Sequence, residues 1–576
     1  MTRLLATYLR PYRRWILLVM VLLLVQAITN LYLPSLNADI INNGVVPGDI
    51  DYIISTGGLM LVVTFLLAIC SIVAVYWGSK TAMAFGRDVR SAIFRKVVSF
   101  SQTETNLFGT PTLITRNTND VQQVQMVVLM ALNVMIIAPI MCVGGIIMAL
   151  NEDVPLSALL NVILPAMGVV IGIMMVRAVP LFQAMQVKID RINQVTRETL
   201  SGIRVIRAFV RTAHEEERFD DANLDLTATS LSVGRLFALM IPTLFAILNL
   251  STVAIMWFGA IRVDSGAMPI GNLTAFIQYV MLIMFSVVMA VVMFVMVPRA
   301  AVSGARIQKV LDTELTLRDP EPPSSAGVTS GLVEFRDVEF RYPGAEDAVL
   351  RGISFTAAPG ETTAIVGSTG SGKSTLVNLI PRFYDVNGGS LTIDGVDVRA
   401  MRQEDLWRAV GVIPQAAFLF SGTVASNLRY GDAGATDDDL WHALETAQAR
   451  EFVADMPEQL EAHIDQGGTN VSGGQRQRLA IARALVKKPR IYIFDDSFSA
   501  LDFKTDSLLR AALREETRSV TVIIVAQRVG TIMHADRIVV MDEGAIVGIG
   551  THAELMDTCE TYREIVYSQI SEEEAA

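Results

Sequence analysis

Six long runs without a charged residue dominate the first 300 residues of this chain: 15–38, 52–79, 121–151, 154–176, 236–261 and 265–298. Each reaches the ~20 residues that a helix needs to cross the hydrocarbon core of a bilayer. Backbone amides in that core have no water to bond, so only helices and closed barrels cross it. None of the six runs shows the alternation of a strand. Six such runs in one half of a chain are hard to hide in a soluble core. The whole chain, 52% hydrophobic over 576 residues, is too apolar for an ordinary soluble protein. Its net charge of -11 gives no support for nucleic acid as a partner.

The charges between the runs predict an orientation. Arg3, Arg10, Arg13 and Arg14 precede the first run. Segment 80–120 carries Lys80, Arg87, Arg90, Arg95, Lys96 and Arg116, and segment 177–235 carries nine Lys or Arg. The alternate loops are nearly bare of bases: 39–51 holds Asp39, Asp49 and Asp51, 152–153 is acidic, and 262–264 has one Arg. The positive-inside rule then places both termini in the cytoplasm of a multi-pass plasma-membrane protein. The first run is too long for a signal-peptide core and lacks an obvious cleavage site. Cys70, Cys142 and Cys559 form no CxxC pattern and the five histidines no metal-ligand spacing, which argues against a disulfide framework and a zinc site.

Segment 177–235 is too long for a structureless loop. As an out-and-back helical pair it would extend roughly 40 Å from the membrane. Residues 318–325, Arg-Asp-Pro-Glu-Pro-Pro-Ser-Ser, read as a linker, since three prolines cannot continue a helix. Beyond them apolar β-branched runs alternate with helical stretches, the pattern of an α/β domain. The expected organisation is an all-α six-helix transmembrane domain over 1–317, a linker over 318–330 and an α/β domain over 331–576.

Gly367-Ser368-Thr369-Gly370-Ser371-Gly372-Lys373-Ser374-Thr375 is a complete Walker A phosphate loop. It follows an apolar strand, Thr363–Val366, and should open a helix at Leu376. Glycines let backbone amides turn around phosphates, and a helix N-terminus adds positive potential. Lys373 is expected to reach the β- and γ-phosphates of ATP, and the Ser374 hydroxyl to ligate Mg²⁺. Asp495 ends the apolar run Ile491–Phe494, 122 residues after Lys373, as a Walker B residue does. It should hold Mg²⁺ directly or through water.

Between the two lies Val471-Ser472-Gly473-Gly474-Gln475. With it the whole chain resembles an ABC transporter half of the exporter type: six spans fused to one ATP-binding cassette. The family signature usually begins with Leu where this chain has Val471. The resemblance implies that Tyr342 stacks on adenine, unless it is a core tyrosine. It implies that Gln415, in Val412-Ile413-Pro414-Gln415, senses Mg²⁺ and links the cassette to the membrane part, unless it is a solvated loop residue. Ser499-Ala500-Leu501-Asp502 is similar to the D-loop, which contacts a facing cassette. Phe108-Gly109-Thr110 with Arg116 to Asp120, and Leu200 through Phe219, resemble the two coupling regions; plain amphipathic turns would look the same.

Two positions depart from the family pattern. Asp496 stands where cassettes carry the Glu that polarises the attacking water, and Gln527 stands where they carry His. In this family two cassettes pair head to tail, so each ATP meets one chain's Walker motifs and the other chain's Ser472-to-Gln475 signature. The resemblance therefore implies a weak site of the chain's own and a standard signature for a partner's site. This is the pattern of the degenerate half in heterodimeric bacterial exporters; a working homodimer is the alternative. The charge-free spans disfavour an ionic cargo, a proton relay or an ion channel. Met281, Met284, Met289, Met293 and Met296 suit a promiscuous apolar pocket, and equally suit helix packing or lipid contact. A lipophilic drug, lipid or peptide is the expected cargo. Export is the expected direction, with import of a lipophilic siderophore or lipid as the alternative.

Overall fold

The computed structural model describes residues 1–322, 324 and 327–569, the side chains of 241, 291, 292, 294 and 295 excepted. The chain forms two compact units. One comprises Met1–Val98 with Pro111–Thr313; the other comprises Ser99–Thr110 with the chain from Glu314 onward.

The first unit is helical, and the described residues contain six helices long and apolar enough to span a bilayer, in the order the sequence predicts. A short helix α1 (Thr2–Leu9) leads through a 3-10 turn into α2 (Arg13–Asp39), followed by α3 (Ile50–Val98). Helix α4 (Gln102–Phe108) belongs to the second unit. The third span is assembled from α5 (Thr110–Thr115), α6 (Val121–Met130) and α7 (Ile137–Glu152), joined by π-helical segments at Arg116–Asp120 and Ala131–Met135. After the single turn α8 (Val154–Ser157) come α9 (Leu160–Ala208), α10 (Thr212–Asp264) and α11 (Ile270–Leu311). The 177–235 segment is therefore the continuous extension of α9 and α10, turning over at residues 209–211. Ion pairs Lys188–Asp225 and Glu198–Arg218 join the two antiparallel helices.

Ala27, Leu31, Met141, Phe276, Tyr279 and Ile283 are at the centre of the helical core. The Tyr279 hydroxyl donates to Leu31 O at 2.9 Å, which satisfies the one polar atom that this buried ring brings in. Outward-facing positions such as Leu61, Val62, Phe65 and Ile72 are more than 60% exposed, as a lipid-facing surface requires.

Polar contacts concentrate where helices end. Asn42 donates to Asn272 Oδ1 and accepts from Gly271 N, both at 2.7 Å. Asp153, 5% exposed, accepts from Arg262 Nε at 2.9 Å and Nη2 at 2.8 Å while its other oxygen caps Leu156 N at 2.7 Å. Those two residues are the acidic and the basic member of two short loops that sequence reading treated separately. Asp120, adjoining the third charge-free run, is likewise buried, with Ser303 donating to it at 2.8 Å.

In the second unit a six-stranded sheet carries the nucleotide motifs. Its order is Ala545–Gly550, Arg537–Asp542, Thr362–Gly367, Thr521–Val525, Ile491–Asp495, Val410–Ile413, parallel except for the first strand. A four-stranded antiparallel sheet begun by Val333–Phe340 covers the other side of one core. Helix α4 is nucleated by a reciprocal cap: the Ser101 side chain accepts from Thr103 N, and Glu104 accepts from Ser101 N. Glu104 also accepts from Thr316 N at 2.7 Å, and Asn106 donates to the Tyr384 hydroxyl at 3.5 Å. The sequence expectation of one coupling region running from Phe108 to Asp120 is corrected: Phe108 closes α4, whereas Arg116–Asp120 lies in the third span of the other unit. Of the expected linker, residues 323, 325 and 326 lie outside the described residues. Its first residues are bonded to the cassette, Asp319 accepting from Gln403 N and Arg318 O from Arg382.

Candidate nucleotide-binding site

The strand order explains why distant motifs converge. Thr362–Gly367 lies between Arg537–Asp542 and Thr521–Val525, and Ile491–Asp495 lies between Thr521–Val525 and Val410–Ile413. All five run parallel, so Gly367, Asp495, Val525 and Ile413 end on the same edge of the sheet, where ligands of open α/β sheets bind.

The phosphate loop leaves its strand at Gly367 and enters helix Lys373–Leu379, three residues earlier than the Leu376 start expected from sequence. Two glycines are sterically required. Gly372 has φ +94°, and a Cβ there would stand 2.7 Å from Leu350 Cδ2; a Cβ on Gly367 would stand 2.1 Å from Met541 O. Ser368, Thr369, Gly370 and Ser374 are exposed while Ser371 and Thr375 are buried. Lys373 is buried, its ammonium donating to Gly367 O at 2.9 Å and Ser368 O at 2.7 Å. Burial pushes its pKa down, against the pull of Asp496 and Asp495. Ser374 Oγ donates to Asp495 Oδ1 at 2.9 Å. Burial pushes the Asp495 carboxyl up, with the Ser374 bond opposing it. A buried ammonium, exposed loop residues and a hydroxyl–carboxylate pair suit polyphosphate and a hard divalent cation, whose preferred ligands are oxygens.

Asp496 has φ +48°, a left-handed conformation that Asp tolerates better than most residues. Its Oδ2 accepts from Gln415 Nε2 at 3.0 Å and from Gln527 Nε2 at 2.9 Å. A carboxylate only accepts, so both amides must turn their NH₂ groups toward it. Burial raises the Asp496 pKa and the Gln415 bond opposes that shift. Ser499 of the D-loop stretch donates to Asp496 O at 2.8 Å, and Asp502 caps the next helix through Thr505 N at 2.9 Å.

Tyr342 stands beside the phosphate loop, its hydroxyl 2.9 Å from Thr375 Oγ1 and its ring edge-on to Phe340 and Tyr384. Ser472 caps helix Gly473–Lys487, accepting from Gln475 N while Gln475 Oε1 accepts from Ser472 N at 2.9 Å. Ser472 and Gly473 stay exposed, and Gly474 and Gln475 are half-buried. Sequence reading missed Gln569. It donates to Gln527 O at 2.7 Å and accepts from Val529 N at 2.9 Å, tying the end of the described chain to the segment that carries Gln527. No motif marks it.

Comparison with known proteins agrees with this architecture. Residues 16–309 match the ABC transporter transmembrane region, and residues 350–499 match the ABC transporter family of cassettes. An uncharacterized ABC transporter ATP-binding protein of Mycobacterium tuberculosis is 49% identical over 571 residues, 98% of each chain. The ATP-dependent lipid A-core flippase of Pseudomonas aeruginosa is 34% identical over 500 residues, 86% of this chain and 82% of its own. A bacterial Atm1-family ABC exporter solved with ATP bound shares the fold, with TM-score 0.81 and 24% identity over 97% of this chain and 100% of its own. The transmembrane match alone spans half of the sequence and the Mycobacterium relative aligns nearly end to end; this chain therefore belongs to the ABC transporters, as an exporter-type half that spans the membrane, binds ATP and couples its hydrolysis to transport.

Proposed function

We propose that the chain is one half of a dimer moving a lipophilic or amphipathic compound outward, that its own nucleotide site hydrolyses ATP poorly, and that a different chain supplies the competent site. The observation carrying this reading is the engagement of Asp496: one carboxylate oxygen is shared by the amides of Gln415 and Gln527. In this reading Lys373 holds the phosphates, Ser374 and Asp495 hold Mg²⁺ with Gln415 nearby, and Tyr342 holds the base. Bound Mg²⁺ would neutralise phosphate charge. The group at 496 would have to orient water, and Asp is one methylene shorter than Glu and already occupied. Losing a well-placed general base costs ~10²–10⁴ in rate. Gln527 supplies no titratable ring. The well-capped Ser472–Gln475 segment, exposed at Ser472 and Gly473, by contrast suits service to a facing partner's ATP.

A cleft of ≈ 770 Å³ among α2, α9, α10 and α11 supports the cargo class. Its walls include Met167, Phe245, Met281 and Met284, with Asn30 and Gln278 as polar contributors and no charged side chain among the described residues. Such a site favours an apolar body with a neutral hydrogen-bonding group. The flippase relative supports a lipid-like cargo. The basic segments support cytoplasmic termini in a bacterial plasma membrane.

The test is ATP hydrolysis by the purified chain, alone and then mixed with the half-transporter encoded beside it. Near-zero turnover alone and strong turnover for the pair is the expected result. Strong hydrolysis alone, abolished by Lys373→Ala, would establish an active homodimer instead.

A further inference from the structure

The bend between α1 and α2 gathers three arginines around one cleft. Pro11 is the middle residue of the 3-10 turn Arg10–Tyr12, and α2 starts at Arg13. The cleft measures ≈ 820 Å³ and is lined by Arg10, Arg13, Arg14, Trp15 and Leu18 with Thr7 and Pro11. All three guanidinium groups are exposed. Among the described residues none of the three has an ion pair. The acid next to the turn, Asp88, is occupied by the Tyr12 hydroxyl at 2.6 Å and by Arg87 at 2.7 Å, and Arg3 faces Asp312 at 3.5 Å.

Two neighbouring features extend the cleft. Trp15 stacks on Trp77 with ring centroids 3.6 Å apart, and Lys80 Nζ lies 4.7 Å from the Trp77 centroid. Paired indoles with a cation beside them are typical of the headgroup level of a bilayer. From Trp15 onward α2 presents Leu17, Val21, Leu24 and Ile28, each 45–63% exposed and spaced to form one stripe along the helix. Charged cleft, aromatic step and apolar stripe follow one another along α2.

We infer that this elbow is a binding site for an anionic glycerophospholipid of the cytoplasmic leaflet, its phosphate held by Arg10, Arg13 and Arg14 and its acyl chains laid along the α2 stripe. Guanidinium groups chelate phosphate oxygens in pairs, which a lone ammonium does not. A soluble anion would gain nothing from the stripe, and a neutral lipid nothing from the arginines. The inference rests on the proposed cytoplasmic placement of the N-terminus. Basic residues near a charged leaflet each contribute roughly a fivefold preference, so three contribute on the order of 100-fold.

The test uses the assembled transporter in detergent, titrated with phosphatidylglycerol or phosphatidylcholine and examined by native mass spectrometry. The wild type should retain phosphatidylglycerol preferentially, and R10Q/R13Q/R14Q should lose that preference by about 100-fold. The same change of charge on the α9 extension, R191Q/R197Q/R204Q, should leave it intact. Unaltered ATP turnover in phosphatidylcholine nanodiscs would certify that the elbow variant is folded; should it not fold, the single variant R13Q should still lose about fivefold. Equal retention of both lipids by the wild type, or full retention by a folded elbow variant, overturns the inference. Displacement by millimolar inorganic phosphate would overturn it in favour of a simple anion site. Orientation is read separately, by treating the Thr2→Cys variant with an impermeant thiol reagent in right-side-out vesicles. Labelling there would overturn the leaflet assignment and the proposed topology while leaving the lipid chemistry to the titration.

Discussion

Replacing Arg262 by alanine should destabilise the helical unit more than replacing it together with the residue it contacts. Asp153 is 5% exposed and faces two nitrogens of Arg262 at 2.9 and 2.8 Å. Removing one member of a buried pair typically costs about 3–5 kcal/mol, because the remaining charge is left without its partner. Arg262 is 29% exposed, so water can approach the vacated place and a cost of about 2–3 kcal/mol is the better figure here. In R262A/D153N the charge is gone. The side-chain carbonyl of the new amide can still accept from Leu156 N, and the penalty should fall to about 1–2 kcal/mol. At about 2 °C per kcal/mol, R262A should lower the melting temperature of the assembled complex by about 5 °C, and the double variant should recover about 2 °C of that loss. Thermal melts followed by size-exclusion chromatography of a fluorescent fusion give both numbers. A melting point for R262A within 1 °C of wild type, or a double variant at least as unstable as R262A, would refute the buried-charge reasoning.

Further predictions concern the cassette. Asp496→Glu combined with Gln527→His should raise turnover at this chain's site by about 10²-fold, measured in the complex after the partner's catalytic carboxylate is removed; an unchanged rate would move the defect elsewhere. Ser472→Ala should cut turnover of the pair at least tenfold while leaving nucleotide binding by this chain's own phosphate loop intact, and full activity would contradict the head-to-tail pairing. Gly372→Ala, at φ +94° and with its new Cβ 2.7 Å from Leu350 Cδ2, should weaken binding of a fluorescent ATP analogue at least tenfold. Glu104→Ala strips the acceptor from Ser101 N and Thr316 N and should lower substrate-stimulated ATP turnover more than basal turnover; equal loss of both would mean that α4 has no coupling role.

The six spans were legible because charge-free length is a one-dimensional property. The hairpin formed by α9 and α10 was legible from the length of 177–235 between runs. The phosphate loop, Asp495 and the signature were legible because each is a local pattern. The meeting of Gln415, Asp496 and Gln527 was not: each was marked by family position, but their bonds depend on Ile491–Asp495 lying between Val410–Ile413 and Thr521–Val525 in the sheet. Asp153 and Arg262 are 109 residues apart and meet only because α7 and α10 end beside each other. The start of α4 is legible in Ser101-Gln102-Thr103-Glu104, a capping-box pattern. Gln569 has no local signature at all.

The unbroken length of α9 and α10 also limits how such a chain can vary in size. A helix advances about 100° per residue. One residue inserted into the middle of α9 would turn everything beyond it by that angle and separate Lys188 from Asp225 and Glu198 from Arg218. Length changes are therefore tolerable at residues 209–211, where the chain reverses, or along the rods in blocks close to whole turns, about 7, 11 or 18 residues, added to both helices at once. The reach of this hairpin is set in discrete steps, and a chimera between two such proteins should be cut at the reversal and nowhere along the rods.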